Sequence, residues 1–243
     1  MTQPAAGGTI VLGKGVAPVP GAPPLVYRDV ALLERPGGRR FSLVVEEGAV
    51  IAVVGEEHSG VGWIGRLALG LVPPPSGSVE AFGVPIARLP YSELLVFRRR
   101  LGYLPLGDGL LQNLSLKDNV ALPLRFATDH RLREVEDRVA QLIEDFRLRA
   151  IAALRPAQAT EEDRRRAAMA RAVALRPKIV VLERPFDGLS NRAATALLDK
   201  ASRDEDGTRR AVLLTTRELA PSLRAMVTGV VRVAEGGVVE DPK

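Results

Sequence analysis

Apolar residues fall along this chain in two rhythms. Short runs rich in valine, isoleucine and leucine recur at 25–33, 41–45, 50–54, 78–82, 101–106, 179–182, 211–215 and 230–233. Each predicts a strand, because such side chains suit a pleated, partly buried surface. The run at 179–182 is apolar throughout, the pattern of a strand covered on both faces of a parallel sheet. Helical spacing takes over at 130–148, where Leu132, Val135, Val139, Leu142, Ile143 and Phe146 recur three and four residues apart. Further helices are predicted at 63–71, 89–100, 159–174, 193–202 and 219–226. The helix at 159–174 has the clearest start, with Thr160 as N-cap, Glu161 and Glu162 in the first turn and Asp163 at the third helical position. Pro73-Pro74-Pro75-Ser76-Gly77 and Pro177 interrupt the pattern, and Gly236-Gly237 between two valine runs reads as a hairpin turn. Residues 1–24, rich in Gly, Ala and Pro, read as a mobile tail or a surface strap.

Composition narrows the function classes. A chain of 243 residues accommodates one well-packed α/β domain with a smaller helical lobe, and 46% hydrophobic residues exclude a largely disordered chain. The absence of cysteine removes disulfides, thiol nucleophiles and thiolate metal sites. His58 and His130 lie too far apart for metal-ligand spacing, so no metal site is expected. No apolar run approaches the roughly 18 residues of a membrane span, and no secretory pattern opens the chain; cytoplasmic residence is the expectation. The net charge of +5 fits a soluble protein and also an anionic membrane face or nucleic acid. Arg98 to Arg100 and Arg164 to Arg166 are the clusters that would touch phosphates. An aromatic content of 4% disfavours single-strand recognition, and Arg98 to Arg100 also suit a helix C-terminus, so no nucleic-acid partner is expected.

The strand at 50–54 leads into Gly55, Glu56, Glu57, His58, Ser59, Gly60, Val61, Gly62 and Trp63, and then into a predicted helix. Strand, glycine loop and helix form the frame of a phosphate-cradling P-loop, G-x-x-x-x-G-K-[ST]. The two glycines are in place. Val61 and Gly62 stand where the motif has its lysine and its hydroxyl.

The order of elements and the wording between them resemble the ATP-binding subunit of an ABC transporter. The resemblance rests on Gly70-Leu71 with Pro74 and Ser76-Gly77, on Gly102 to Leu124, on Ala170 to Pro177 with Ile179 to Leu182, and on Pro185 to Leu189. The stretch from Gly102 to Leu124 closely resembles that region of the subunits that drive MCE-type phospholipid transport and of the related cell-division ATPases. The resemblance implies an α/β fold: a P-loop NTPase-like ABC ATPase core with a mixed sheet, a flanking antiparallel β part and a helical subdomain at roughly 107–176, within one domain spanning 25–243.

It also implies where the chemical groups should stand. The glutamine that meets magnesium and the attacking water falls on Leu106, the signature LSGGQ on Ala159, Thr160, Glu161, Glu162 and Asp163, and the Walker B acids on Glu183 and Arg184. The D-loop aspartate falls on Ser190, the switch histidine on Arg217, and the adenine-stacking aromatic near Leu33 or Glu34. Losing one transition-state stabiliser costs roughly 10²- to 10³-fold in rate. The sequence expectation is therefore a catalytically silent subunit with no cofactor, or ATP and magnesium as weak ligands at most. It would be a structural or regulatory part of a membrane transport complex, with lipid as a candidate cargo, held on the inner face of the cytoplasmic membrane by a permease and able to dimerise. A weak nucleotide sensor and a non-transport scaffold are the alternatives. One or both of Arg184 and Arg217 are expected to pair with Glu183 or with Glu56 and Glu57. The acidic residues 161–163 would repel a triphosphate carried by a partner subunit.

Overall fold

The structure, a computed structural model, describes residues 17–33, 39–127 and 131–239. The first strands β1 (Leu25–Val30), β2 (Phe41–Val45) and β3 (Val50–Val54) lead to a short helix α1 (Ile64–Ala68), then to β4 (Ser78–Ala81) and β5 (Val84–Pro85). Next come α2 (Tyr91–Arg98), β6 (Leu101–Leu104), α3 (Leu116–Ala127), α4 (Leu132–Asp145) and α5 (Glu161–Val173). The chain finishes through β7 (Ile179–Glu183), α6 (Asn191–Ser202), β8 (Ala211–Thr216), α7 (Pro221–Arg224), β9 (Gly229–Ala234) and β10 (Gly237–Val239).

Two sheets result. The larger has the order β10-β9-β3-β8-β7-β6 and is parallel except for its β10 edge, while β2-β1-β4-β5 forms an antiparallel sheet beside it. This is the expected α/β arrangement of a mixed sheet with a flanking antiparallel part. The period-2 alternation of a strand divides β7 between two cores. Val180 and Leu182 pack with Leu116, Val120, Leu142 and Met169 of the helices, whereas Ile179 and Val181 pack with Tyr27, Phe41, Val61 and Ile64 between the sheets. Strand β3 is divided the same way, Ala52 to one side and Val53 to the other. A strand between two apolar layers must be apolar at every position, which accounts for the continuous hydrophobic runs.

Several elements are shorter than their patterns. The helix predicted at 63–71 is confined to Ile64–Ala68, preceded by two 3-10 turns at Glu57–Ser59 and Val61–Trp63. Glycine at 60, 62 and 65 weakens helix formation, and Gly70 ends it with a positive φ of 59°. Strand β1 stops at Val30, with Asp29 at a positive φ of 53° where the register with β2 shifts. The helix predicted at 219–226 contracts to Pro221–Arg224. Thr160 caps α5 as expected, its side chain accepting from the Asp163 N–H while the Asp163 carboxylate accepts from the Thr160 N–H. On α4 the apolar stripe is buried from Val135 to Ile143, but Leu132 at its first turn is 69% exposed. Of the predicted tail, residues 1–16 lie outside the described residues, and Val19 donates its N–H to the Phe82 carbonyl at 2.9 Å.

One buried polar side chain organises the entry to α3. Asn119 is fully buried; its amide donates to the Leu111 and Ser115 carbonyls at 3.0 Å and accepts from the Leu111 N–H at 2.7 Å. It thereby fixes the loop that descends from β6. Asn119→Ala leaves these main-chain groups unpaired out of water and is expected to cost about 2 kcal/mol or more, read as a lower urea midpoint at unchanged slope.

Candidate functional site

The parallel strands β3, β8 and β7 end side by side, with Val54 opposite Thr216 and Glu183 opposite Thr215. The glycine loop leaves from β3. Gly55 donates to the Thr216 carbonyl at 3.0 Å, and a Cβ at this position would run into the Ser59 hydroxyl and the Val233 carbonyl. Gly60 sits at a φ of 92° against Leu32. Ser59 is buried and donates to the Glu56 carbonyl at 2.6 Å, which draws the crest Glu56-Glu57-His58 into a tight turn exposed to solvent.

Val61, where the motif has its lysine, faces the interior. It is 5% exposed and belongs to the apolar cluster containing Leu32, Val53 and Ile64. Gly62 opens onto free space, and Trp63 follows at 42% exposure with the Arg66 guanidinium 5.6 Å from its ring centroid.

Glu183, the last residue of β7, is 6% exposed. Its carboxylate accepts from the Tyr103 hydroxyl at 2.8 Å and from the Leu106 N–H at 3.1 Å. Gly65 lies opposite, and any Cβ there would collide with the carboxylate. Burial, with the Glu183 charge beside it, pushes the Tyr103 hydroxyl well above the usual tyrosine range. The same two causes raise Tyr27, whose hydroxyl donates to the Ile64 carbonyl at 2.7 Å. Both phenols are thus held protonated around one anionic carboxylate.

Arg184 does not pair as expected. Its backbone has a φ of 45° and its N–H donates to the Thr215 carbonyl, and this left-handed turn carries the guanidinium to Asp187 at 2.6 Å rather than to Glu183. Arg217 approaches the same carboxylate at 3.7 Å. Asp187 therefore takes both cations, and the carboxylates of Glu56 and Glu57 are exposed at the crest.

The Leu106 loop is held from the other side by α5. Arg165 donates to the Gly107 carbonyl, Arg164 reaches Asp108 at 3.1 Å, and Arg171 donates to the Gly109 carbonyl at 2.7 Å. This clamp was not anticipated, although arginines at 164 and 171, seven residues apart on one helix, were a usable signal. It also redirects the basic clusters: Arg166 pairs with Asp163, and Arg98 donates to the Leu69 and Gly70 carbonyls at 2.8 and 2.9 Å. These arginines serve the fold's interior.

At the start of α5 the expected anionic edge is moderated. Asp163 is engaged by Thr160 and Arg166, and Glu161 lies 3.9 Å from Arg165 and packs against Gly188. Ser190 caps α6, accepting from the Ala193 N–H at 3.3 Å. Leu33 lines a cavity with Trp63, while Glu34 and His130 lie outside the described residues.

A parallel strand feeding a glycine loop, with a carboxylate at the tip of the next strand but one and helices on one side, defines a P-loop-type α/β cassette. The family model described as ABC transporter matches residues 39–187. This chain belongs to that family. It is 30% identical over 213 residues to the methionine import ATP-binding protein MetN 1 of Pseudomonas syringae pv. syringae, a match covering 88% of this chain and 63% of that protein. It is 34% identical over 148 residues to the intermembrane phospholipid transport system ATP-binding protein MlaF of Haemophilus influenzae, covering 61% of this chain and 56% of that one. Among solved structures, the ATP-binding cassette MJ0796 in a dimeric post-hydrolysis state bound to ADP and Pi superposes with a TM-score of 0.78 at 23% identity, over 90% of this chain and 98% of that one. That likeness speaks to the fold. The chain spans about two thirds or less of the length of these two relatives.

These matches overturn the expectation of a catalytically silent chain that is no enzyme and takes no cofactor. The relatives are named as ATP-binding proteins of import and phospholipid transport systems, and the family match runs unbroken through the loop whose side chains differ. The substitutions at Val61 and Gly62 do not by themselves define an inactive subunit. The donor set on this chain nonetheless does not fit the magnesium ion that the family implies. Gly62 supplies no hydroxyl, and Glu183 commits its oxygens to Tyr103 and Leu106.

Two outcomes follow for the site. Val61→Lys places an ammonium in an apolar cluster, so it lowers stability by about 2 kcal/mol or more, measured by chemical denaturation. Because Tyr27 and Tyr103 keep their protons in the fold while the unfolded chain releases them near pH ~10, their contribution to stability is level below that pH and falls as the pH rises through it. In a series of denaturation midpoints, Tyr103→Phe makes that fall shallower.

Proposed function

We propose that this chain is the ATP-binding-cassette subunit of a membrane transport complex. Nucleotide is held at the cleft formed by residues 55–63, Leu106, Glu183, Arg184 and Arg217, with residues 159–163 facing a second cassette. The observation that carries this reading is the match along 88% of the chain to a named ATP-binding subunit of an importer. One domain spanning 25–243, with a helical part at roughly 107–176, is the organisation that goes with it.

A permease is the partner this reading requires. Support comes from two exposed leucines on the loop between β6 and α3: Leu106 is 55% and Leu111 47% exposed, on a path fixed by Asn119, Glu183 and the α5 arginines. Apolar side chains on a rigid, exposed loop suit docking to another protein. No helix among the described residues is long and apolar enough to cross a membrane, so attachment to the inner face of the cytoplasmic membrane would run through that partner. A dimer of cassettes is the assembly in the MJ0796 structure, and a homodimer is the corresponding arrangement here. Phospholipid is the cargo class favoured by the 34% identity to MlaF, and methionine import is the second reading, favoured by the longer match to MetN 1.

Purification of the tagged chain from native membranes in mild detergent is expected to yield a membrane-spanning subunit in fixed stoichiometry, and the isolated complex is expected to bind ATP. Replacing Leu106 and Leu111 together by Asp should release the chain into the soluble fraction with its circular dichroism unchanged. A chain that purifies alone, and an assembly that binds no nucleotide, would refute the reading.

A further inference from the structure

Where α4 passes beside α6 lies a cavity of about 270 Å³, with Leu142, Phe146 and Val173 on its apolar side and Arg138, Glu205 and Arg210 among its charged groups. Helix α4 packs chiefly on α3 and less on α5. Across the cavity it is fastened by charge.

The loop at 203–210, between α6 and β8, supplies that charge from a stiff base. Arg203 and Arg209 bridge its two sides, the Asp204 N–H donates to the Thr208 carbonyl at 2.9 Å, and Gly207 turns the chain at a φ of 82°. Arg210 roots the loop: its buried side chain donates to the Pro177 and Ala201 carbonyls at 2.8 and 2.9 Å and pairs with Asp204 at 3.2 Å. Glu205 therefore stands on a fixed support.

The Glu205 carboxylate takes two cations. One oxygen pairs with Arg138 of α4, and the other meets Arg176, just past α5, at 2.7 Å. Arg138 has its side chain 11% exposed, and it also donates to the neutral Ala174 carbonyl and Gln141 side chain at 3.3 Å. Burial, with the Arg176 charge beside it, pulls this guanidinium down to about 10. It is still a cation at neutral pH, and a cation so far removed from water depends on its counter-charge.

We infer that the 203–210 loop is a charge clasp on α4: Glu205 grips Arg138, and loss of that grip lets α4 shift across the cavity while the parallel sheet stays intact. The shift reaches further through α3, on which α4 packs. Asn119 of α3 bonds the main chain at Leu111, so the exposed loop after β6 loosens with the helices. The clasp concerns contacts within this chain, and its test needs neither nucleotide nor permease.

The test is amide hydrogen exchange on the full chain, read by peptide. In Glu205→Gln the amides of α4 are expected to exchange about tenfold faster than in the parent, the loss of one charge-assisted bond. Those of 106–119 should quicken by about threefold or more, while β7 and β8 stay within about twofold. Arg138→Met, which replaces the buried cation by an apolar side chain, is expected to fold and to free α4 in the same way. The double variant should exceed the larger single effect by no more than about threefold, because both changes remove one interaction. Exchange in α4 within twofold of the parent in both single variants overturns the inference. So does acceleration confined to α4, acceleration spread equally over β7 and β8, or a double variant whose effect is the product of the two single ones. Each of these results leaves the proposed function standing.

Discussion

The carboxylate of Glu183 is the constraint on which the cleft depends. A carboxylate removed from water must be matched by donors, and here they come from Tyr103 on β6 and from the main chain at Leu106. Those bonds draw the end of β6 and the following loop against β7. They also explain a detail of α1: only glycine at 65 leaves the carboxylate its room. The glycine at 65, the hydroxyl of Tyr103 and the approach of Leu106 to β7 all accommodate this one buried charge.

The glycine loop is held by a different kind of force. Its anchor is apolar, because Val61 turns into the cluster between the sheets while Gly55 and Gly60 permit close approach to Val233 and Leu32. Packing of this kind ties the loop to the chain's own core. The left-handed Arg184 and its pairing with Asp187 complete the rim.

Much of the fold was legible in the sequence. The apolar runs at 50–54 and 179–182 mark the two strands that divide between two cores, and Thr160 with Asp163 marks the start of α5, because periodicity and capping are local signals. The site was legible in position but not in orientation. Nothing local says that Val61 faces inward or that the α5 arginines reach 107–109, since each depends on contacts distant in sequence. Arg184 turns to Asp187 only three residues on, but its left-handed backbone is fixed by the distant Thr215 carbonyl. Function inferred from missing side chains alone went astray for the same reason: the absence of a lysine at 61 was read as loss of a role, whereas the relatives that span the same loop are named as ATP-binding proteins.

The arginines of α5 grip the loop after β6 largely through its carbonyl oxygens, at Gly107, Asp108 and Gly109. A grip on main chain is indifferent to which side chains the loop carries, so the segment works as a stiff strut whose tip, Leu106, can change its chemistry without slackening. That tip is tied to β7 through Glu183 and, one residue further on, to α5 through Arg165.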